Sequence, residues 1–128
     1  MEQVIALDRR IACDDSRQSI NESKIFNFRS LPDGWNGQGA LSIPASVITK
    51  ALEVIKKLDE QPLDVFPTGR ETVQIEYDVA GKSLEIEIGE EDTGFLLACG
   101  DSVHEWRSSD IMEIFRAVDD FFTIKSIR

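Results

Sequence analysis

The fold of this chain is decided by the stretch from Val73 to Ile88, which reads VQIEYDVAGKSLEIEI. Apolar and polar side chains alternate in both halves, as they do in β-strands with one buried face. Ala80-Gly81 separates the halves, so the pattern predicts a β-hairpin with a two-residue turn. In that register the inward residues face one another in the pairs Tyr77–Leu84, Ile75–Ile86 and Val73–Ile88, with Val79 and Lys82 flanking the turn. A slip by one residue would set Tyr77 against Glu85 and is rejected.

The same register crowds carboxylates on the polar face of the hairpin. It places Glu76 opposite Glu85 and Gln74 opposite Glu87, and like charges directly across a sheet are destabilising. Between Glu71 and Asp92 the chain has eight acidic residues and one base, so this stretch carries −7 of the total charge of −10. A cationic partner would relieve the repulsion. The residues predicted to contact such a partner are Glu76, Asp78, Glu85 and Glu87.

Outside the hairpin, hydrophobic periodicity predicts three helices and two further strands. The helices are expected at Ile20 to Leu31, at Ala45 to Asp59 after Pro44, and at Asp110 to Phe122; the strands are expected at Phe95 to Cys99 and at Ser102 to Trp106. Pro62 and Pro67 bracket a predicted extended link, and residues 1–13 fit either a helix or a strand. The expected fold is therefore α+β, a single domain over residues 1–128 in which an antiparallel meander of three to four strands carries about three helices on one face.

Composition limits the classes of partner. The chain has 128 residues, 41% hydrophobic and 30% charged, which is typical of one globular domain. A pI near 4.5 argues against direct binding to nucleic acid or anionic membranes, both of which attract clustered bases. No secretory signal or membrane span is visible, and Cys13 and Cys99 lack a disulfide or zinc spacing. We therefore expect a cytoplasmic protein with reduced thiols, in which Cys99 belongs to the core.

A glycine-rich segment between the first two helices is the most motif-like local feature. It reads GWNGQGA from Gly34 to Ala40, and its glycines permit positive φ and close backbone approach. Its amides could form an anion site before the second helix, although it lacks the Lys of a P-loop and a preceding strand. The other interpretation is a packed loop anchored by its tryptophan. The candidate ligand-contacting residues of this loop are Trp35, Asn36, Gly37 and Gly39.

No complete catalytic or metal-binding signature is present in the sequence. His104 is the only histidine, and on a strand Ser102 would share its face while Glu105 would point to the other. A carboxylate site for a cation is conceivable only on the hairpin, where a solvated acidic face is the more ordinary interpretation. We therefore predict no catalytic residue, no metal site and no cofactor.

One part of the chain resembles a known family. The block LPDGWNGQGA at residues 31–40, Pro44 with its amphipathic helix, and the acidic hairpin together resemble small uncharacterised bacterial proteins with an L-P-x-G-W-[DN]-G-x-G-A block ahead of an LEIEI-type hairpin. The resemblance covers about residues 25–92. The family has no established activity, so the resemblance assigns no site residue. Its small size and acidity are similar to those of immunity proteins and antitoxins, which is an analogy only.

Three functions remain open at this point. The first is a non-enzymatic domain that binds a basic protein surface through the acidic face, as an inhibitor of the immunity or antitoxin type would. The second is a small ligand-binding domain or enzyme that uses the Gly34–Ala40 loop. The third is a structural protein that associates with itself through an exposed strand edge, so a homo-oligomer is possible.

Overall fold

The computed structural model describes residues 16–127, which form three helices and five strands. The predictions for residues 1–13, including that for Cys13, lie outside the described residues. The helices are α1 (residues 16–28), α2 (Ala45–Lys57) and α3 (Met112–Ile127). The strands are β1 (Asp64–Pro67), β2 (Val73–Val79), β3 (Lys82–Ile88), β4 (Thr93–Cys99) and β5 (Ser102–Ser108).

The strands form one antiparallel sheet in the order β1-β2-β3-β4-β5, a simple meander. The predicted α+β class is confirmed, and the sheet has one strand more than the three to four that the sequence predicted. The additional strand is β1, which the sequence analysis interpreted as an extended link. It is only four residues long and ends at Pro67, so it shows too little alternation to be recognised without its partner β2.

The predicted register of the central hairpin is confirmed over its whole length. Tyr77 lies opposite Leu84 and Ile75 opposite Ile86, with Val79 and Lys82 closing the turn. At the turn, Ala80 has φ 51° and Gly81 has φ 82°. Positive φ at both central residues is the type I′ geometry, whose twist matches that of the flanking strands. Local turn chemistry and side-chain alternation therefore favour the same register.

The helices differ from their predicted bounds only at the ends, because capping rather than periodicity sets a helix terminus. The first helix already includes residue 16, the first described residue, rather than starting at Ile20, and it ends at 28 rather than Leu31. The second ends at Lys57 rather than Asp59. The third begins at Met112, whose backbone N–H donates to Oδ1 of Asp110 at 3.0 Å, and it continues to Ile127.

All three helices cover the same face of the sheet, which we call the inner face. The core between them is predominantly apolar, with Ile25 from α1, Ile55 from α2, Phe121 from α3 and Ile75 and Ile86 from the sheet each at most 2% exposed. Polar contacts also fix α1 beside this core. Asn21, which is 1% exposed, donates to the carbonyl oxygen of Pro62 at 3.3 Å, and Lys24 pairs with Asp64.

The helices do not fully cover β4 and β5 at the end where the Gly100-Asp101 turn joins these two strands. Leu97 and Trp106 are half-buried on the inner face, and Cys99 and His104 are exposed. The prediction that Cys99 belongs to the core is therefore wrong. Its neighbours in the apolar run are partly enclosed, but Cys99 is the last residue of β4, beside the Gly100-Asp101 turn and beyond the helix layer.

Candidate functional site

The outer face of the sheet, opposite the helices, carries a row of five aligned residues, four of them acidic, that crosses all five strands. Strand pairing aligns Asp64, Glu76, Glu85, Leu96 and Glu105, one residue from each strand in order. We call these five residues the acidic row. Leu96 interrupts the charges and supplies an apolar contact between Glu85 and Glu105. Because side chains in register on one face lie about 5 Å apart, the row is a continuous strip across the sheet.

Glu87, a predicted site residue, and Asp92, which lies near it, are each paired with one of the protein's own arginines. Nε of Arg70 donates to Oε2 of Glu87 at 2.9 Å, and the hydroxyl of Thr72 donates to the same oxygen at 2.7 Å. Arg107 forms two parallel hydrogen bonds with Asp92, of 3.0 and 2.8 Å. Partial burial raises the pKa of Glu87, but the hydrogen bonds from Arg70 and Thr72 and the charges of Arg70 and Arg107 hold it below its ordinary value.

Gly94 makes room for one of these arginines. A Cβ at this position would lie 2.7 Å from Nη1 of Arg107, so the guanidinium passes over β4 where any other residue would have a side chain. Gly94 lies between Glu87 and Arg107 in the sheet register. The outer face is thus divided into a row with compensated charges and, beside it, the acidic row.

Within the acidic row, the carboxylates of Glu76 and Glu85 remain crowded. Asp64 at one end is paired with Lys24, whereas none of the described bases forms an ion pair with Glu76, Glu85 or Glu105. Partial burial, the charge of Glu76 and a hydrogen bond with its carboxyl group raise the pKa of Glu85. The predicted residue Asp78 lies on the same face and is exposed. The structure therefore leaves uncompensated charge on Glu76, Glu85 and Glu105.

An open groove of about 380 Å³ lies over this part of the sheet. Its floor includes Leu96, and its sides are formed by the carboxylates of Glu85 and Glu105 and by the guanidinium groups of Arg70 and Arg107. A groove with acidic groups on one side and bases held in ion pairs on the other fits a cationic side chain over Leu96.

Glu85 and Glu87, which both lie on β3, give opposite stability predictions. Because the pKa of Glu85 is higher in the folded than in the unfolded state, ionised Glu85 destabilises the fold above that raised pKa, and the penalty disappears as the pH falls. Glu85→Gln is therefore expected to raise the free energy of unfolding at pH 7 by up to about 0.5 kcal/mol, given what partly solvated pairs contribute. Urea denaturation at several pH values measures this difference.

Glu87→Gln is the matched control for that experiment. The pKa of Glu87 is lowered by folding, so its ionised form stabilises the protein above the unfolded pKa, and the contribution is lost as the pH falls through the folded value. This substitution should lower stability at pH 7. The Glu85→Gln difference from the unmodified protein should vanish towards about pH 4, near the ordinary pKa of Glu, whereas the Glu87→Gln difference should narrow only below that pH. Equal signs for the two substitutions at pH 7 would contradict the assigned environments.

The glycine loop binds its own backbone. Gly34, Gly37 and Gly39 have φ of 80°, 77° and 87°, which confirms the predicted positive φ at this segment. Oδ1 of Asn36 accepts the N–H groups of Gln38 and Ala40 at 2.8 and 3.1 Å. Half-buried Trp35 donates Nε1–H to the carbonyl oxygen of Leu41 at 3.2 Å. Since these donors are satisfied within the loop, few amides remain for an anion.

The structure keeps the loop and the histidine apart. Ala40 contacts Gly69 in the β1–β2 turn, at one edge of the sheet, whereas His104 belongs to β5 at the opposite edge. An apolar groove of about 350 Å³ beside α3 is lined in part by His104, Trp106, Glu113 and Asp120, and it contains no loop residue. Glu113 accepts Nε1–H of Trp106 at 3.0 Å, so this carboxylate orients the indole.

Residues 16–127 contain neither a cluster of metal ligands nor a membrane-crossing helix. No group of three or more His, Cys, Asp or Glu side chains in that range is arranged to hold a metal ion. None of the helices in the described part of the chain combines the length and apolarity that crossing a bilayer requires.

Sequence reasoning missed three residues of the outer face: Glu105, Arg70 and Arg107. The orientation of Glu105 was available from the alternation in β5, but its place in the acidic row depends on the strand order. The two arginines reach their partners over 17 and 15 residues, and no local pattern predicts such pairs. No family model, no curated protein and no solved structure matches this chain. Its own surface is therefore the basis for a functional assignment.

Proposed function

We propose that this chain is a non-enzymatic binding domain whose acidic row docks onto a basic surface of a partner protein. The observation that carries the proposal is the uncompensated charge of Glu76, Glu85 and Glu105 around Leu96, on a sheet face that no described helix covers. Elsewhere on the same face, Asp64, Glu87 and Asp92 are paired with the protein's own bases. The unpaired carboxylates of this face are thus grouped in the acidic row and beside it, at Asp78.

The raised pKa of Glu85 supports a cationic partner in particular. Burial and the neighbouring charge of Glu76 make the ionised state of this carboxyl group less favourable than that of an ordinary glutamate, which raises its pKa. A Lys or Arg placed between the two carboxylates would remove that repulsion and gain charge-assisted hydrogen bonds. Binding would then relieve strain that already exists in the free domain, and Leu96 would add an apolar contact.

The overall charge of −10 favours the same class of partner. A strongly acidic protein attracts a basic surface over a Debye length of about 8 Å at physiological salt, which raises the association rate. Many nucleic-acid-active enzymes have such basic surfaces. The specific form of the proposal is an inhibitor of such an enzyme, of the immunity or antitoxin type, consistent with the resemblance to small acidic bacterial proteins.

The experiment compares three forms of the protein. Glu76→Lys/Glu85→Lys reverses the two central charges of the row, and Glu53→Lys/Asp119→Lys reverses two exposed charges on α2 and α3 and changes the net charge equally. The unmodified form is used to capture partners from native cells, and a protein that it retains is purified. With such a partner, we expect the row variant to bind at least tenfold more weakly, because two charge pairs turn repulsive.

The salt dependence of the association rate is the second measurement. The unmodified domain and the control should associate more slowly as salt increases, because screening weakens long-range attraction. The row variant should show a flatter dependence. Equal affinity of the row variant and the control for the purified partner would refute the acidic row as the docking surface.

The glycine-loop alternative has less support. Its amides are largely used within the loop, and neither groove described above contains residues 34–40. No specific observation favours a ligand there, so a second function is not proposed.

A further inference from the structure

The two edges of the sheet differ in how they are protected from further strand pairing. At the β1 edge the strand has four residues and ends in a proline. Helix α1 also reaches this edge, where Nη1 of Arg17 donates to the carbonyl oxygen of Leu63 at 3.0 Å and Lys24 pairs with Asp64. Short length, proline and a covering element are the devices by which proteins prevent edge pairing.

Within residues 16–127, none of these devices protects the β5 edge. Its seven residues, SVHEWRS, contain no proline and no lysine, and the register with β4 is unbroken from Ser102 to Ser108. Residues 102–105 and 107 are exposed, including Val103 at 64%. A long, regular and exposed edge strand is a template for another strand.

The orientation of the free backbone groups follows from the turn. The two-residue turn Gly100-Asp101 makes Cys99 and Ser102 a hydrogen-bonded pair, and in antiparallel strands such pairs alternate with non-bonded ones. The N–H and C=O groups of Val103, Glu105 and Arg107 therefore point away from β4. Within residues 16–127, no backbone hydrogen bond outside the strand ladders involves these three residues. They present a row of free donors and acceptors.

We propose that β5 pairs with β5 of a second copy of this chain, antiparallel and with Glu105 opposite Arg107 of the other copy. Glu105 and Arg107 have opposite charge and both present free backbone groups, so the two-fold relation makes their pairing reciprocal. The register that places Glu105 opposite itself would oppose two carboxylates and is disfavoured. The chosen register also places Trp106 opposite its counterpart on the inner face.

Trp106 is held in an orientation that suits this contact. Its ring stacks on Phe95 with a centroid distance of 4.9 Å and an interplanar angle of 4°, and its Nε1–H is fixed by Glu113. An aromatic pair across strands contributes more than its buried area alone. The guanidinium of Arg107 lies over Gly94 on β4 and pairs with Asp92, so pairing with Glu105 of the other copy requires this side chain to turn towards the β5 edge.

The dimer would be one continuous ten-stranded sheet with both helix layers on the same side. Its outer face would present two acidic rows and leave Glu76 and Glu85 free. The charge of −10 on each copy opposes association over distance, so the dimer is expected at about 0.15 M salt, where the Debye length is about 8 Å. This proposal depends on the edge of the sheet and not on the proposed binding function.

The first test is sedimentation velocity at about 0.15 M salt over concentrations from roughly 1 to 300 µM, a range that covers weak dimers. The unmodified protein should shift from monomer to dimer. Glu105→Arg and Arg107→Glu should each weaken the dimer roughly tenfold, since each sets like charges opposite each other twice. The double substitution restores opposite charges and should dimerise within about threefold of the unmodified protein. Circular dichroism checks that each variant is folded.

The second test is hydrogen–deuterium exchange, which reports backbone pairing directly. The amides of Glu105 and Arg107 should exchange rapidly at low concentration and slowly where the dimer forms. The amides of His104 and Trp106, which face β4, should be protected at both concentrations and serve as internal controls. A monomer at every concentration, a double variant no better than the single ones, or a dimer without protection of Glu105 and Arg107 would overturn the proposal. Glu76→Lys/Glu85→Lys should leave the dimer intact.

Discussion

Ile86→Ala is expected to lower the free energy of unfolding by about 3 kcal/mol, which is within the range for deleting a buried isoleucine side chain. Ile86 is 0% exposed and lies on β3, the central strand of the sheet. Its neighbours in register are Ile75 on β2 and Phe95 on β4, both in the core. Removing three carbon atoms there leaves a cavity that three paired strands cannot close, since their backbones are fixed by hydrogen bonds on both sides.

Urea and thermal denaturation measure this effect, and the midpoint of thermal unfolding should fall by roughly 10 °C for a domain of this size. Leu63→Ala is the control, because Leu63 is 54% exposed and the substitution keeps its backbone hydrogen bond. In that bond the N–H of Leu63 donates to the carbonyl oxygen of Glu76 at 2.7 Å. The control should change stability by less than about 0.5 kcal/mol. A loss for Ile86→Ala as small as that of the control would mean that β3 is not central to the core.

Phe121→Ala is expected to have the other large effect, a loss of about 4 kcal/mol, as for other buried phenylalanines. Phe121 is 2% exposed and joins α3 to the sheet. Its ring centroid lies 6.1 Å from that of Tyr77 and 5.1 Å from that of Phe122, and Nζ of Lys82 lies 5.0 Å above it. The hydroxyl of Tyr77, which donates to the carbonyl oxygen of Glu60 at 2.6 Å, would lose its packed surroundings.

Near-ultraviolet circular dichroism should report this loss, because the tyrosine is fixed by its aromatic neighbours. Phe26→Ala is the matched control. Phe26 is 48% exposed, and its ring is covered only on the surface by Arg29, whose guanidinium carbon lies 3.7 Å from the ring centroid. We expect the control to lose less than about 1 kcal/mol. Similar losses for the two phenylalanines would contradict the assignment of Phe121 to the core.

The hairpin could be predicted because its determinants are local. Alternation assigns each residue of Val73–Ile88 to a face, and a two-residue turn fixes the pairing, so one register satisfies both. The opposition of Glu76 and Glu85 followed directly and is observed. The apolar stripes of α2 and α3 were predictable for the same reason, since helical periodicity needs no knowledge of the partner surface.

The predictions that went wrong depended on contacts distant in sequence. β1 is too short to be recognised alone and exists because Val65 and Phe66 pair with β2. Cys99 lies in an apolar run, but its exposure is decided by where α3 ends its coverage of the sheet. In both cases the local pattern was ambiguous, and the position of another element resolved it.

The candidate site was likewise predicted only in part from the sequence. Sequence predicted an acidic outer face, but it treated Glu87 as equivalent to Glu85. The structure separates the two, because Arg70 neutralises Glu87 whereas Glu85 has only Glu76 beside it. The centre of the proposed docking surface therefore moves away from Glu87 and towards Glu105, a residue on a strand that the hairpin does not contact.

The sequence by itself determined the α+β class, the register of β2 with β3 and the excess of negative charge on one sheet face. These follow from periodicity and turn geometry, which act between residues close in the chain. Tertiary structure alone decided which carboxylates keep their charge uncompensated and which edge of the sheet stays open. Those properties depend on Lys24 meeting Asp64 across 40 residues, and on the strand order that places β5 at one end of the described sheet. Ion pairs and edge protection are set by distances in space, which a pattern along the chain does not contain.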